Sequence, residues 1–351
     1  LKFLYAYRYG IVGGVSTQLL LRQHAMRQQG HQCDLFFSQD NGLCGVLPAQ
    51  QGVYFGTEHS YRSLVRQGGY DHVVVIDTPE LLVQSVPAWW QPSRQVWLDV
   101  HTTTVNGLAY LNHLDAGRLA GVMVPTHYSA SLVAKRLPGI TPHVLPNVLD
   151  IEAFPLSSEH ECEDAAVGAR HFIWVGKLDA HKNWRLALIY AHMLKELFGM
   201  VQLTMVGGYT APAETGEALF DLAGKLELLD SLRWVDRIDN QMLAALYRLS
   251  GRSGGAMLVT SRDESFGMAA AEALMCGCPL ITNDLPVFRE VFPNSDMIKR
   301  VDIWQPEQFE QAAKALPAVP DQEACRRMHE HLSSAYGPEA FMVALNAALE
   351  A

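Results

Sequence analysis

The sequence predicts an α/β fold built as two parallel-sheet domains, and three observations carry that expectation. Short apolar runs alternate with helical or irregular segments along most of the chain, which is the rhythm of a parallel sheet covered on both faces. The rhythm breaks between residues 151 and 170, where the acidic, aperiodic stretch Ser157-Ser-Glu-His-Glu-Cys-Glu-Asp164 reads as a linker, and then resumes. At 351 residues the chain is also too long for one ordinary core.

Composition narrows the function classes. Apolar residues make up 49% of the chain and charged residues 18%, so it packs rather than remaining disordered. A net charge of −10 disfavours non-specific nucleic-acid binding and gives no general pull toward anionic lipid, which leaves peripheral membrane contact open but not indicated. The six cysteines (Cys33, Cys44, Cys162, Cys276, Cys278, Cys325) form no C-x-x-C pair and no zinc-type spacing with histidine. Around the helix-ending Gly277, Cys276 and Cys278 read as small buried residues. With no leader and no apolar run of membrane-spanning length, the expectation is a soluble chain in the reducing cytoplasm.

In chain order, Lys2-Phe-Leu-Tyr-Ala-Tyr7 reads as a buried strand running into the glycine-containing turn Arg8–Val15. A helix is expected from Ser16 to about Gln29, with Ser16 or Thr17 as cap and Gly30 as terminator. The glycines are spaced G-x-x-G-G rather than G-x-G-x-x-G, and Asp34 lies at the start of the following strand, Cys33–Phe37; both argue against a nicotinamide site. Paired Gly13 and Gly14 signify either a close backbone approach to a ligand or a tight turn. Further strands are expected at His72–Asp77, Gln95–Val100, Gly121–Pro125 and His143–Pro146. His101 follows the second of these directly, at the carboxyl end where ligands of open parallel sheets bind, and both a functional and a structural role are open for it.

After the linker, His171–Val175 reads as a strand followed by Gly176-Lys177-Leu-Asp-Ala-His-Lys182. The next helix is expected to bury a face of Leu186, Ile189, Met193 and Leu197 and to end at Gly199. Lys177 and Lys182 bracket a strand-to-helix turn at which ammonium groups and helix N–H groups suit a diphosphate. Strands follow at Gln202–Val206, Leu232–Val235, Ala256–Thr260 and Pro279–Thr282. Between the last two lies Glu264-Ser-Phe-Gly-Met-Ala-Ala-Ala-Glu272, read as loop then helix: Glu264 just before the helix, Glu272 on its second turn. Two carboxylates facing one pocket, apart from an anion at the helix N-terminus, suit the paired hydroxyls of a ribose and a sugar. No Asp-x-Asp pair occurs, so a diphosphate would be met by lysines and helix N-termini rather than by a metal ion.

Together these residues resemble the retaining, nucleotide-sugar-dependent glycosyltransferases of GT-B architecture, in particular family 4 with its E-x7-E motif. Glu264-Ser-Phe-Gly267, Glu272-Ala273, Gly277-Cys-Pro279 and Glu290 match the family's run at every spacing. Gly176-Lys177-Leu178 with Lys182 is similar to its G-R-L-x3-K element, Pro146-Asn147-Val-Leu-Asp150 to its P-N-G-V-D, and Gly13-Gly14 to its N-terminal Gly-Gly loop. The resemblance implies two Rossmann-like domains facing across a cleft: residues 1–150 bind the acceptor, 171–335 bind the nucleotide sugar, and the helix of 336–351 crosses back to the first domain. It implies that Glu264 holds donor-sugar hydroxyls, that Ser265, Phe266 and Gly267 form the loop offering N–H groups, and that Glu272 takes the ribose. It gives Lys177 and Lys182 the diphosphate, counts Gly13 and Gly14 among the donor-binding residues and puts His101 near the transferred sugar, with His101, Glu264 and Lys182 nearest the chemistry.

Four departures stand out. Lys177 replaces Arg and forgoes bidentate phosphate contact; Ser265 and Val148 replace glycines; Pro286-Val287 replace Gly-Gly. The implied activity is metal-independent, retaining transfer from a UDP- or GDP-linked sugar, with no cofactor, to an acceptor such as a glycan, a small molecule or a lipid-linked sugar. Stretches 39–56 and 102–116 are expected to read the acceptor, and Trp89, Trp90 and Tyr110 are candidates for stacking on it. The alternatives are a nucleotide-sugar epimerase of the same fold and a catalytically idle homologue serving as a partner subunit.

Overall fold

The computed structural model describes residues 1–47, 51–85, 95–156 and 168–351. Trp89, Trp90, Cys162 and most of the 151–170 stretch lie outside the described residues. The chain forms two compact units, Leu1–Val148 with Tyr336–Ala351, and Leu149–Ala335.

The first unit runs β1 (Lys2–Gly10), α1 (Gly14–Gln28), β2 (Gln32–Asp40), β3 (Val53–Phe55), α2 (Glu58–Gln67), β4 (His72–Ile76), α3 (Pro79–Ser85), β5 (Gln95–Asp99), β6 (Gly121–Val124), α4 (His127–Ala134) and β7 (His143–Val144). Its seven strands are parallel in the order β3-β2-β1-β4-β5-β6-β7. Successive side chains of β1 go to opposite faces: Phe3 and Tyr5 join one apolar cluster with Leu19, Met26 and Phe37, while Leu4 and Ala6 join another with Phe36, Val73 and Val75. Because both faces are covered, β4 is buried along its whole length, and it reads in sequence as an unbroken apolar run.

The second unit contains β8 (Arg170–Val175), α5 (Trp184–Phe198), β9 (Val201–Val206), α6 (Ala213–Lys225), β10 (Leu232–Val235), α7 (Asn240–Arg252), β11 (Met257–Val259), α8 (Met268–Met275), β12 (Leu280–Asn283), α9 (Pro286–Val291), β13 (Ile298–Val301) and α10 (Pro306–Lys314), and α11 (Gln322–Tyr336) leads out of it. Its six parallel strands take the order β10-β9-β8-β11-β12-β13. The last helix, α12 (Pro338–Glu350), belongs to the first unit, where Phe341, Met342 and Leu345 join the cluster of Leu19 and Met26.

Several local expectations are corrected. Helix α1 starts two residues before Ser16, with Gly13 as its N-cap and no side-chain cap. Ser16 instead donates its hydroxyl to the Tyr9 carbonyl at 3.2 Å, and the Thr17 N–H bonds the Gly13 carbonyl at 2.9 Å. Helix α5 buries Trp184, Ala187, Leu188, Tyr190, Ala191 and Leu194; of the face expected, Leu186, Met193 and Leu197 are partly buried against the same cluster, whereas Ile189 is exposed. Strands β3 and β13 match no sequence expectation, and β3 lies within the 39–56 stretch expected to read the acceptor. Val148, in the place of a linker glycine, is a core residue of the first unit, and Gln18 clamps its backbone with two bonds of 2.7 Å.

Phe341 is fully buried against α1 although it lies near the end of the chain. Phe341→Ala should cost about 3–5 kcal/mol of stability, read by denaturant unfolding of the full chain; a loss under about 1 kcal/mol would show that α12 is not part of this core.

Candidate active site

In an open parallel sheet the ligand crevice lies beyond the carboxyl ends of the strands, where the order of strands reverses. In the second unit that point falls between β8 and β11, and the loops after these two strands carry the residues singled out in the sequence. The turn after β8 is held by Asp179, whose Oδ1 accepts the Lys182 N–H at 2.8 Å. Asn183 takes a left-handed conformation (φ 57°) to start α5. Thr260, just past β11, donates its hydroxyl to the Lys182 carbonyl at 2.9 Å and accepts the Trp174 indole N–H at 3.0 Å. The Arg262 N–H bonds the His181 carbonyl at 2.9 Å, so the two loops are tied through backbone.

Close packing makes glycines necessary here. A Cβ at Gly207 would lie 2.2 Å from the Gly176 carbonyl oxygen, and one at Gly267 would lie 2.4 Å from the Phe288 ring. Gly267 also has φ +96° and is the N-cap of α8, where as a glycine it brings no side chain to the start of that helix. Phe266 is buried, and the buried Phe288 of α9 packs against the loop at Gly267, just after the Pro286-Val287 that replace two glycines.

Lys182 and Glu264 meet: Nζ stands 2.5 Å from Oε1, and the Ser261 hydroxyl donates to the same oxygen at 2.7 Å. Side-chain exposure is 28% for Lys182 and 12% for Glu264, so the pair is partly screened and its carboxylate is held rather than mobile. Lys177 is exposed and makes no ion pair among the described residues. Glu272 lies on the second turn of α8, as its spacing predicts, but in different surroundings from Glu264. Burial, reinforced by the Asp150 carboxylate, pushes its carboxyl up to about 7. Its side chain has no hydrogen-bond partner among the described residues, whereas Glu264 has two.

In the first unit the order of strands reverses between β1 and β4, and a second polar group gathers at the ends of β4 and β5. Asp77 has φ +39°, a conformation that costs a non-glycine residue about 1–3 kcal/mol. In that position its Oδ2 accepts the N–H groups of His101 (2.9 Å) and Thr102 (2.8 Å), and its Oδ1 accepts the Tyr110 hydroxyl at 3.2 Å. Burial raises its carboxyl to about 6 in spite of those bonds and the nearby His101. Asp99, fully buried, accepts His101 Nε2 at 3.1 Å and Arg22 Nη1 at 2.5 Å. Burial there is outweighed by His101 and Arg22, which hold the carboxyl at about 2. Gly14 opens α1, and no atom lies within 4 Å of where a Cβ on it would stand, so packing alone does not require glycine there. Tyr110, a stacking candidate, instead spends its hydroxyl on Asp77.

Sequence reading missed Asp77, Asp99 and Arg22. A signal existed for one of them: an acidic residue inside the apolar strand Val96-Trp-Leu-Asp99 must have a partner. That partner, Arg22 of α1, lies 77 positions away and no spacing reveals it.

Residues 159–331 match the family model described as glycosyl transferases group 1. The second unit is a glycosyltransferase group 1 domain. The chain is 23% identical over 329 residues to a phosphatidyl-myo-inositol mannosyltransferase of Mycolicibacterium smegmatis, covering 85% of this chain and 79% of that protein. It is 27% identical over 143 residues to a glycogen synthase of Mycobacterium tuberculosis, covering 40% of this chain and 31% of that protein. With that protein and several other curated relatives, the chain thus shares less than half of their length. Among solved structures, Alr3699/HepE of Anabaena in complex with UDP and glucose aligns at a TM-score of 0.78 and 15% identity, covering 100% of this chain and 99% of that one. A sucrose-phosphate synthase from Thermosynechococcus elongatus aligns at 0.76 and 14% identity, covering 99% and 97%. At such identities the likeness is one of fold, and that fold is GT-B, two Rossmann-like α/β units.

In the group 1 domain, Glu272 offers a titration to follow. Its folded-state pKa of about 7 lies above the ordinary 4.5, so the stability it contributes is full below about 4.5 and is lost as pH rises through about 7. Glu272→Gln has no such titration. The melting temperature of the variant relative to wild type should therefore rise between pH 5 and pH 8 by about 2 °C or more; a difference that stays flat with pH would place the carboxyl in water.

Proposed function

We propose that the chain is a retaining, metal-independent glycosyltransferase that moves a sugar from a nucleoside diphosphate donor to an acceptor hydroxyl. The observation that carries this reading is the division of labour at the β8/β11 crevice. One glutamate is held by Lys182 and Ser261, while the other, Glu272, lies a helix turn inside α8 with its carboxyl unpartnered among the described residues. A half-buried carboxyl of this kind is satisfied by paired hydroxyls such as those of a ribose. The N-terminus of α8, with Lys177 and Lys182 on the neighbouring turn, suits the diphosphate. The Anabaena protein of like fold has been solved with UDP, so UDP is the donor nucleotide to test first, with GDP next.

In the retaining reaction, the bond between the sugar C1 and the diphosphate oxygen breaks. The acceptor oxygen bonds to C1 on the same face, and the acceptor proton passes to the leaving phosphate oxygen. The protein supplies position and charge: the lysines balance the departing diphosphate, Glu264 orients the sugar, and the family resemblance gives His101 of the first unit a place beside it. Residues 102–116, which contain a 3-10 turn at Ala109–His113 and lead into a second at Ala116–Arg118, are candidates for reading the acceptor, a glycan, small molecule or lipid-linked sugar.

Calorimetry with UDP separates the two glutamates. Glu272→Gln should weaken UDP by about 10-fold or more, since a charge-assisted bond is worth roughly 1.5–3 kcal/mol. Glu264→Gln should leave UDP affinity nearly intact and lower kcat by more than it raises KM. Equal weakening by both variants would mean that the roles are wrongly divided. A second check addresses the metal: UDP affinity and transfer should persist in excess chelator, and activity lost there and restored by magnesium or manganese would contradict metal independence.

A further inference from the structure

The pair of Arg22 and Asp99 is a poor device for stability. Both side chains are fully buried, and taking two charges out of water is repaid only when their remaining polar atoms are also satisfied. Here Arg22 Nε and Asp99 Oδ1 have no hydrogen-bond partner among the described residues. What the pair does accomplish is local. Asp99 Oδ2 receives Arg22 Nη1 at 2.5 Å and faces His101 Nε2 at 3.1 Å. Arg22 is itself fixed from two sides: its guanidinium carbon lies 5.3 Å from the centroid of the Phe341 ring of α12, and Nη2 reaches the Leu145 carbonyl at 3.5 Å.

An ionised carboxylate can only accept hydrogen bonds. With the Arg22 guanidinium against it, Asp99 keeps its charge, so the hydrogen between Asp99 and His101 belongs to Nε2. Neutral imidazole carries one ring hydrogen, which leaves Nδ1 as an acceptor. Nδ1 makes no hydrogen bond among the described residues. The backbone of His101 is held independently by Asp77 Oδ2, so neither the ring nor the main chain is left to swing.

We propose that Arg22 and Asp99 are positioning residues that lock His101 as the Nε2–H tautomer, presenting Nδ1 as a hydrogen-bond acceptor to a sugar hydroxyl. This rests on the transferase reading for the identity of the hydroxyl, but not for the tautomer. His101 then receives a hydrogen bond from the bound sugar and gives none. The helix α12 enters this arrangement through Phe341, so the last turns of the chain help to aim a histidine that follows β5.

The test is a long-range proton–nitrogen correlation spectrum of the full chain labelled with 15N-histidine, near pH 8, where an ordinary imidazole is neutral at about 1.5 units above its pKa. His101 is identified by the signals that vanish in His101→Gln. The expected spectrum shows a protonated Nε2 and an unprotonated Nδ1; the opposite tautomer, or averaging between the two, overturns the proposal. The double variant Arg22→Met with Asp99→Leu removes both charges together and leaves no lone buried ion. It should release His101 into averaged tautomers while UDP affinity, which belongs to the second unit, stays as in wild type. Arg22→Lys, which keeps the cation, should retain the wild-type tautomer. An unchanged His101 pattern in the double variant overturns the proposal as well. Should that variant fail to fold, the wild-type and Arg22→Lys spectra decide. The spectrum is taken without ligand, so its outcome is distinguishable from a failure of the chain to bind UDP.

Discussion

A parallel sheet buried on both faces leaves only its ends for chemistry, and that constraint shapes both units. Side chains within the strands are committed to the apolar clusters on either side, so polar groups gather in the loops that leave the carboxyl ends. In the second unit these are the turns around Gly176–Asn183 and Ser261–Gly267. In the first they are the segments that begin at Asp77 and His101. In the second unit the loops pack tightly enough to need glycine at a carbonyl, as at Gly207, or beneath a ring, as at Gly267.

The charged groups at these ends are arranged by different means. Lys182 and Glu264 form a partly exposed pair that keeps a carboxylate oriented while leaving the lysine open to a further anion. Asp99 is driven the other way, into complete burial, where Arg22 and His101 together keep it ionised. Asp77 and Glu272 are half-buried without an equal counter-charge, and desolvation raises their carboxyls to about 6 and about 7. Carboxyls of the same chemical type are thereby given distinct proton affinities by surroundings alone. The strained backbone of Asp77 belongs to the same pattern: in that conformation one carboxylate gathers two N–H groups and a phenol.

Local sequence was enough for whatever depends on neighbours along the chain. The apolar runs gave eleven of the strands, since a strand buried on both faces must be apolar throughout. The spacing from Glu264 to Glu272 placed one carboxylate in a loop and the other on the second turn of a helix, and α8 has that form. Gly277 at φ +75° ends that helix as its position foretold. Short, mixed-polarity β3 and β13 carried no such signal. The cap of α1 fell to Gly13 because Ser16 was taken by the Tyr9 carbonyl, a competitor that no local pattern announces.

Pairings between distant residues were decided in three dimensions. Lys182 and Glu264 were both legible as site residues, but not as partners, because they lie 82 positions apart and meet only when β8 and β11 are neighbours in the sheet. Arg22, Asp99 and His101 come from a helix and the end of a strand, and Phe341 from the other end of the chain. The order of residues was sufficient to mark which segments are strands and helices, and to show that carboxylates and lysines stand at their ends. Which carboxylate faces a cation and which is left alone was settled by strand order and burial, because charge interactions depend on distance and dielectric in space rather than on separation along the chain.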